Sequence, residues 1–156
     1  MKAMKKKQFV SDVQLTYQRT DIPTVKILSS FDAVQPCIDL IPKGQIALRE
    51  FFGTLLLNRT NHVLNRCLLS SGGSCSTVVD IKHLMQYVIL SNAVGIVLFH
   101  NHPSGNVRPS AQDCSTTRQI KEACRIFDIN LLDHIILSGY PLEDPGFFSF
   151  SDNGML

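Results

Sequence analysis

No stretch of this chain approaches the run of about 18 apolar residues that a membrane span requires, so no spanning segment is expected. The start also lacks the apolar core of a secretion signal, because the run Lys2, Lys5, Lys6 and Lys7 is followed by Gln8-Phe9-Val10-Ser11-Asp12. The protein is therefore expected to be soluble and cytoplasmic. Cysteine is sparse: Cys37, Cys67, Cys75, Cys114 and Cys124 contain no CxxC pair and are odd in number. That pattern argues against a disulfide framework and a thiolate zinc knuckle, and the thiols read as buried small residues in a reducing compartment. Net charge is nearly absent, with 15 Lys and Arg against 13 Asp and Glu. The composition thus offers no electrostatic support for a nucleic-acid partner. Residues 1–12 read as a flexible basic terminus, a solvated end that would touch phosphate or an acidic partner only as an arm. Internal repeats and low-complexity tracts are missing too. With 156 residues and 44% hydrophobic content, the chain is expected to form one domain over residues 13–156.

Chemistry concentrates in His100-Asn101-His102-Pro103-Ser104-Gly105-Asn106-Val107-Arg108-Pro109-Ser110-Ala111-Gln112-Asp113. His100 and His102 are separated by one residue, so on extended backbone both imidazoles project to the same side. Pro103, Gly105 and Pro109 punctuate the following loop and would turn the chain back, bringing Asp113 toward the histidines. Two His and one carboxylate suit Zn²⁺, and three protein ligands leave one tetrahedral position for water, the pattern of a catalytic zinc. One zinc per chain is the expected cofactor. Ser110-x-x-Asp113 is also a capping-box-like helix start. The two readings are compatible, since a helix N-terminus favours the ionised carboxylate that a metal needs.

Periodicity gives an α/β order. Val13, Leu15 and Tyr17 alternate like a strand. Ser30 reads as the cap of a helix reaching about Leu40, and Pro42-Lys43-Gly44 as a connection. Residues 51–57 and 62–69 are apolar runs flanking Asn58-Arg59-Thr60-Asn61, a four-residue hairpin loop. Gly72-Gly73 turns the chain before Thr77-Val78-Val79. A helix is expected from Asp80 to Ser91 with Leu84, Val88 and Ile89 inward, and a buried strand from Val94 to Phe99 delivers its end to His100. Residues 110–127 read as an amphipathic helix with Ile120, Cys124 and Phe127 inward. Strands follow at 131–137 and near Phe148–Phe150. The expected class is α/β (α+β), a mixed curved β-sheet flanked by helices.

The string HxHP, six residues, S, two residues, D resembles the signature of the JAMM (MPN+) metallopeptidase superfamily, and HNHPSG followed by PSxxD is similar to its RadC branch. The likeness covers about residues 27–154. It includes Glu50-Phe51-Phe52-Gly53-Thr54-Leu55 against the superfamily's E-x-x-G-x-L, Leu131-Leu132-Asp133-His134-Ile135-Ile136, and the ending Phe147-Phe148-Ser149-Phe150 with Asn153-Gly154. The resemblance implies a JAMM/MPN-like (cytidine deaminase-like) architecture and hydrolysis of peptide or isopeptide bonds. It assigns His100, His102 and Asp113 to the zinc, Glu50 to general acid/base catalysis, and Ser110 to the oxygen of the tetrahedral intermediate. Between Glu50 and His100 the only acidic residue is Asp80, read as opening a helix.

Other readings stay open beside this one. The RadC family has carried a DNA-repair label, so a nucleic-acid-linked role, or a zinc-binding module without turnover, is the alternative. RadC proteins often carry a helix-hairpin-helix segment ahead of the metal domain, and this chain starts too late to be expected to hold one. Asn101 and Ser104 are expected to shape the site loop through side-chain to backbone hydrogen bonds. His134 beside Asp133 is either a satisfied strand-end pair, the plainer reading, or a partner for a ligand's other nitrogen. Arg108 is either an ordinary loop arginine or a reader of a substrate carboxylate. His62 and His83 read as surface residues. Substrate and oligomeric state leave no mark in the sequence.

Overall fold

The computed structural model describes residues 18, 20, 21, 23–72, 79–140 and 146–156. The lysine run, the expected strand at Val13–Tyr17 and the whole Gly73–Val78 stretch, Cys75 included, lie outside these described residues.

The elements follow in the order α1 (Ser30–Ile38), β1 (Phe51–Leu57), β2 (Val63–Ser71), α2 (Ile81–Leu90), β3 (Gly95–His102), α3 (Ala111–Ile126), β4 (Asn130–Ser138) and β5 (Phe147–Ser149). The strands form one mixed sheet in the order β2-β1-β3-β4-β5. All neighbours are antiparallel except β3 and β4, which run parallel and are joined through α3. A parallel pair needs such a crossover, and the crossover carries the chain back from the end of β3 to the start of β4. The class is α+β, with a JAB/MPN-like arrangement of sheet and helices.

Alternation along the buried central strands sends apolar side chains to both faces. Phe51, Leu55, Leu57, Val97, Phe99, Ile135 and Leu137 pack with Ala33 and Cys37 of α1. Phe52, Leu56, Ile96 and Leu98 pack on the other face with Leu84, Met85 and Val88 of α2 and Ile120 and Cys124 of α3. Strands buried on both faces read as continuous apolar runs, which is why FFGTLLL and GIVLF carry no polar alternation. In the middle of β1, Gly53 is required by space. A Cβ there would lie 2.6 Å from the Phe99 ring and 2.7 Å from the Cys67 carbonyl oxygen.

Several local expectations shift by a residue or two. The cap of α1 is Ser29, not Ser30, because Asp32 accepts the Ser29 backbone N–H at 2.8 Å and closes a capping box. That helix stops at Ile38. The β1–β2 loop holds one residue more than expected, since Leu57 pairs with Val63. Asn58 accepts from the backbone of Thr60 and His62, and Asn61 adopts a left-handed φ of 60°. In α2 the inward stripe is Leu84, Met85 and Val88, while Ile89 is exposed. Phe127 is 51% exposed, because it caps α3 outside helical geometry, at φ −107°, and leaves the buried stripe. β3 runs on through both histidines rather than stopping at Phe99. No helix among the described residues is long and apolar enough to cross a membrane.

Candidate metal centre

The end of β3 and the start of α3 meet at the site. His100 and His102 share the face of β3 that packs toward α2 and α3, as the period of a strand dictates. Ser110 caps α3, and its hydroxyl accepts the Asp113 backbone N–H at 3.1 Å. Asp113 Oδ2 in turn accepts the Ser110 backbone N–H at 2.7 Å and the Ser110 hydroxyl at 2.6 Å. The capping box therefore occupies Oδ2 and leaves Oδ1 turned to the histidines, 3.2 Å from His100 Nε2.

The donor atoms of His100, His102 and Asp113 all lie within 4.8 Å of one another. His100 Nε2 is 3.0 Å from His102 Nε2, and His102 Nε2 is 3.6 Å from Asp113 Oδ2. Zinc bonds of about 2.0–2.1 Å at tetrahedral angles would set donors roughly 3.3 Å apart; the His100–His102 and His100–Asp113 Oδ1 separations lie close to that value, while the 3.6 Å from His102 is to the other carboxylate oxygen, Oδ2. Hydrogen bonding supports the same fit. His102 Nδ1 lies 2.5 Å from the Asn106 carbonyl oxygen, which can only accept, so the proton sits on Nδ1 and Nε2 offers its lone pair to the centre. With both Nε2 atoms unprotonated, two lone pairs and a carboxylate at these distances repel one another, so the cluster calls for either protons or a cation at its centre. The residues present fit a divalent metal with nitrogen and oxygen preference.

Electrostatics follow from these contacts. Burial opposes the charge on Asp113, yet hydrogen bonds from His100, His102 and Ser110 hold its carboxyl far below the usual carboxylate range. The bond to Asp113 raises His102 above its ordinary 6.5, opposed by burial and aided by the Asn106 carbonyl and by Glu50. Burial drives His134 well below the ordinary histidine value, helped by the neighbouring His100 imidazole.

Glu50 precedes β1 and is half-buried. The β1–β3 register pairs Phe52 with His100, and continued two residues outward it sets Glu50 opposite His102. Asn101, fully buried between the two histidines, points to the opposite face and holds that segment. Its Oδ1 accepts the Phe51 N–H at 2.8 Å, and its Nδ2 donates to the carbonyls of Ile46 and Arg49 at 2.6 and 2.9 Å. The residue expected to shape its own loop instead clamps the backbone on both sides of Glu50. Ser104 does act within the loop, accepting from Asn106 N–H at 3.4 Å. Arg108 is exposed there, its N–H bonded to Asn106 Oδ1. Asp80 caps α2 through the His83 N–H and takes no part in the site. His83 is exposed, whereas His62 is partly covered and bonded to Thr60.

His134 overturns the plainer reading of it. Its side chain does not pair with that of Asp133, which faces the other side of β4 and binds the Ser149 hydroxyl and the Ser151 N–H. Instead His134 Nε2 stands 2.8 Å from His100 Nδ1. Thr117, 2.6 Å from His134 Nδ1, was not foreseen. Its position one helical turn beyond Asp113 was the available signal. The loop is anchored just past the end of β4, where Gly139 N–H donates to the His102 carbonyl at 2.8 Å. A Cβ on Gly139 would lie 2.4 Å from the Pro103 carbonyl oxygen, so only glycine permits this approach.

Residues 29–155 match the family model described as a RadC-like JAB domain. Similar proteins include a UPF0758 protein of Flavobacterium johnsoniae, 38% identical over 133 residues, covering 83% of this chain and 53% of that protein. A UPF0758 protein of Rubrobacter xylanophilus is 37% identical over 121 residues, 76% of this chain and 51% of its own length. Another, of Geotalea uraniireducens, is 37% identical over 108 residues, 69% of this chain and 45% of its own. The chain thus spans about half the length of the curated relatives it matches. With the sheet, the His-His-Asp cluster and these matches agreeing, the chain belongs to the RadC family, within the JAB/MPN superfamily, and carries its RadC-like JAB domain.

Proposed function

We propose that this domain is a zinc-dependent hydrolase of peptide or isopeptide bonds. The observation that carries the reading is the convergence of His100, His102 and Asp113, whose donor atoms lie within 4.8 Å of one another; the β1–β3 register, continued two residues past the Phe52–His100 pair, supports Glu50 as their neighbour. His100, His102 and Asp113 hold the metal. When bound, Zn²⁺ supplies Lewis-acid polarisation of the scissile carbonyl and acidifies a water toward a pKa of about 7. Glu50 accepts the proton of the attacking water and returns it to the leaving amine nitrogen. Asn101 keeps Glu50 in place by fixing the carbonyl before it and the N–H after it. Ser110 turns its hydroxyl from Asp113 to the substrate oxygen that becomes negative, a donor role worth on the order of 3 kcal/mol. The substrate is a peptide or protein, and the loop that ends at Arg108 and Ser110 borders its binding side.

The test is elemental analysis of freshly purified protein beside His102→Ala, followed by a peptide and isopeptide hydrolysis panel that includes Glu50→Gln. About one zinc per chain, lost in His102→Ala, with turnover lost and zinc kept in Glu50→Gln, is the expected result. Absence of zinc in the parent chain even after zinc is supplied would remove the hydrolase reading. Undiminished turnover in Glu50→Gln would remove Glu50 from it.

A further inference from the structure

Behind His100, on the side away from the Asp113 carboxylate, a row of buried polar atoms leads through the interior. His100 Nδ1 is 2.8 Å from His134 Nε2, His134 Nδ1 is 2.6 Å from Thr117 Oγ1, and Thr117 Oγ1 is 2.6 Å from the backbone carbonyl oxygen of Asp113. His100, His134 and Thr117 are 1%, 0% and 3% exposed.

Proton counting gives this row a direction. A carbonyl oxygen only accepts, and a threonine hydroxyl has one proton, so Thr117 donates to Asp113. Thr117 Oγ1 can then only accept from His134, which places the His134 proton on Nδ1. His134 lies between the rings of Phe52 and Phe150, with centroids 5.5 and 4.8 Å away. The side chain of the neighbouring Asp133 is bonded to Ser149 and Ser151 and to the His134 backbone N–H, leaving the ring without a carboxylate partner on that side. A neutral ring with its proton on Nδ1 offers a lone pair at Nε2, and His100 Nδ1–H donates to it. His100 Nδ1 thereby keeps its proton, and where a cation replaces the proton that Asp113 Oδ1 would otherwise accept at 3.2 Å, Nε2 presents its lone pair to the ion between His102 and Asp113.

We propose that Thr117 and His134 are positioning residues that set the tautomer and ring orientation of His100, presenting Nε2 to a divalent metal. The relay ends on the peptide carbonyl of Asp113, so the same turn of α3 that supplies the carboxylate ligand also orients the imidazole ligand. This inference rests on the reading of His100 as a metal ligand. The proton order at Thr117 and His134 does not, because it follows from the Asp113 carbonyl and the single threonine proton.

The experiment pairs long-range ¹H–¹⁵N correlation spectra of the imidazoles in metal-free protein with zinc titration of the full chain, Thr117→Val and Thr117→Ser. The expected spectrum of the parent chain shows His134 neutral with its proton on Nδ1. In Thr117→Val, which keeps the shape and removes the hydroxyl, the His134 tautomer is no longer held and zinc affinity falls about 10- to 100-fold, the range for loss of a ligand's orienting partner. Thr117→Ser restores both. A proton on His134 Nε2 in the parent chain overturns the proposal without any variant having to fold. So does parent-like zinc affinity in Thr117→Val. The Nδ1–H tautomer in a parent chain that takes up no zinc would instead overturn the metal reading while the proton order stands.

Discussion

Asn101 bonds three backbone groups of the segment that carries Glu50, and each would be left without its partner in Asn101→Leu. A buried group stripped of its partner costs about 1–3 kcal/mol, so the variant is expected to lose roughly 3 kcal/mol or more in urea denaturation. Asn101→Asp should fare no better, because a carboxylate oxygen would replace the donor facing two carbonyls. Titration belongs to the same scale. His102 is raised by its bond to Asp113, so below its folded pKa the site holds a proton that metal must displace. Zinc affinity is therefore expected to rise as pH climbs through a value above 6.5, with a proton released on binding. Calorimetry in buffers of different ionisation enthalpy reads that proton directly. In the metal-free protein the same bond has the opposite sign. Its contribution through His102 is complete below the unfolded histidine pKa and fades as pH rises through the folded one. The contribution of Asp113 is present above its ordinary 3.8 and is lost as pH falls through its lowered folded value.

At the scale of elements, two close approaches hold the site in register. β1 passes under the Phe99 ring only because Gly53 has no side chain, and the β1–β3 pairing set there places Glu50 across from His102. Gly53→Ala is expected to cost about 1–3 kcal/mol by overpacking, seen as a lower denaturation midpoint at unchanged slope. A variant as stable as the parent would show that Phe99 moves aside freely. Much of this scale was legible in the chain. The helices at 81–90 and 111–126 followed from apolar spacing and caps, and the hairpin from two apolar runs around Asn58–Asn61. The misses share one cause. Ile89 borders the buried stripe of Leu84, Met85 and Val88, and Phe127 follows the last helical residue of α3, and nothing local records how far the covered face of a helix extends.

For the whole molecule, the proposed ligands come from β3 and from α3, so that metal binding would tie the central strand to the crossover helix. A ligand of the native state alone at a thousandfold excess over its Kd stabilises by about 4 kcal/mol, on the order of 10 °C in Tm for a domain of this size. Zinc is expected to raise the melting temperature by that order, a chelator to reverse it, and His102→Ala to show no shift. Calorimetric scans of the three samples decide it. An equal shift in His102→Ala would place the stabilising zinc elsewhere.

Residue types and spacing were enough to name His100, His102 and Asp113, because a strand with period two and a helix start are local geometries that any sequence pattern exposes. They were enough as well for the Ser110 cap and for a mixed sheet flanked by helices, with the family likeness behind the latter. The tertiary structure alone decided that Asn101 serves Glu50 and that His134 serves His100. Both are contacts between strands and helices far apart in the chain: Asn101 with Phe51 lies 50 residues away, and His134 with His100 lies 34. Which buried polar group meets which depends on register and crossover, and these are settled only when the apolar faces of all the elements pack together.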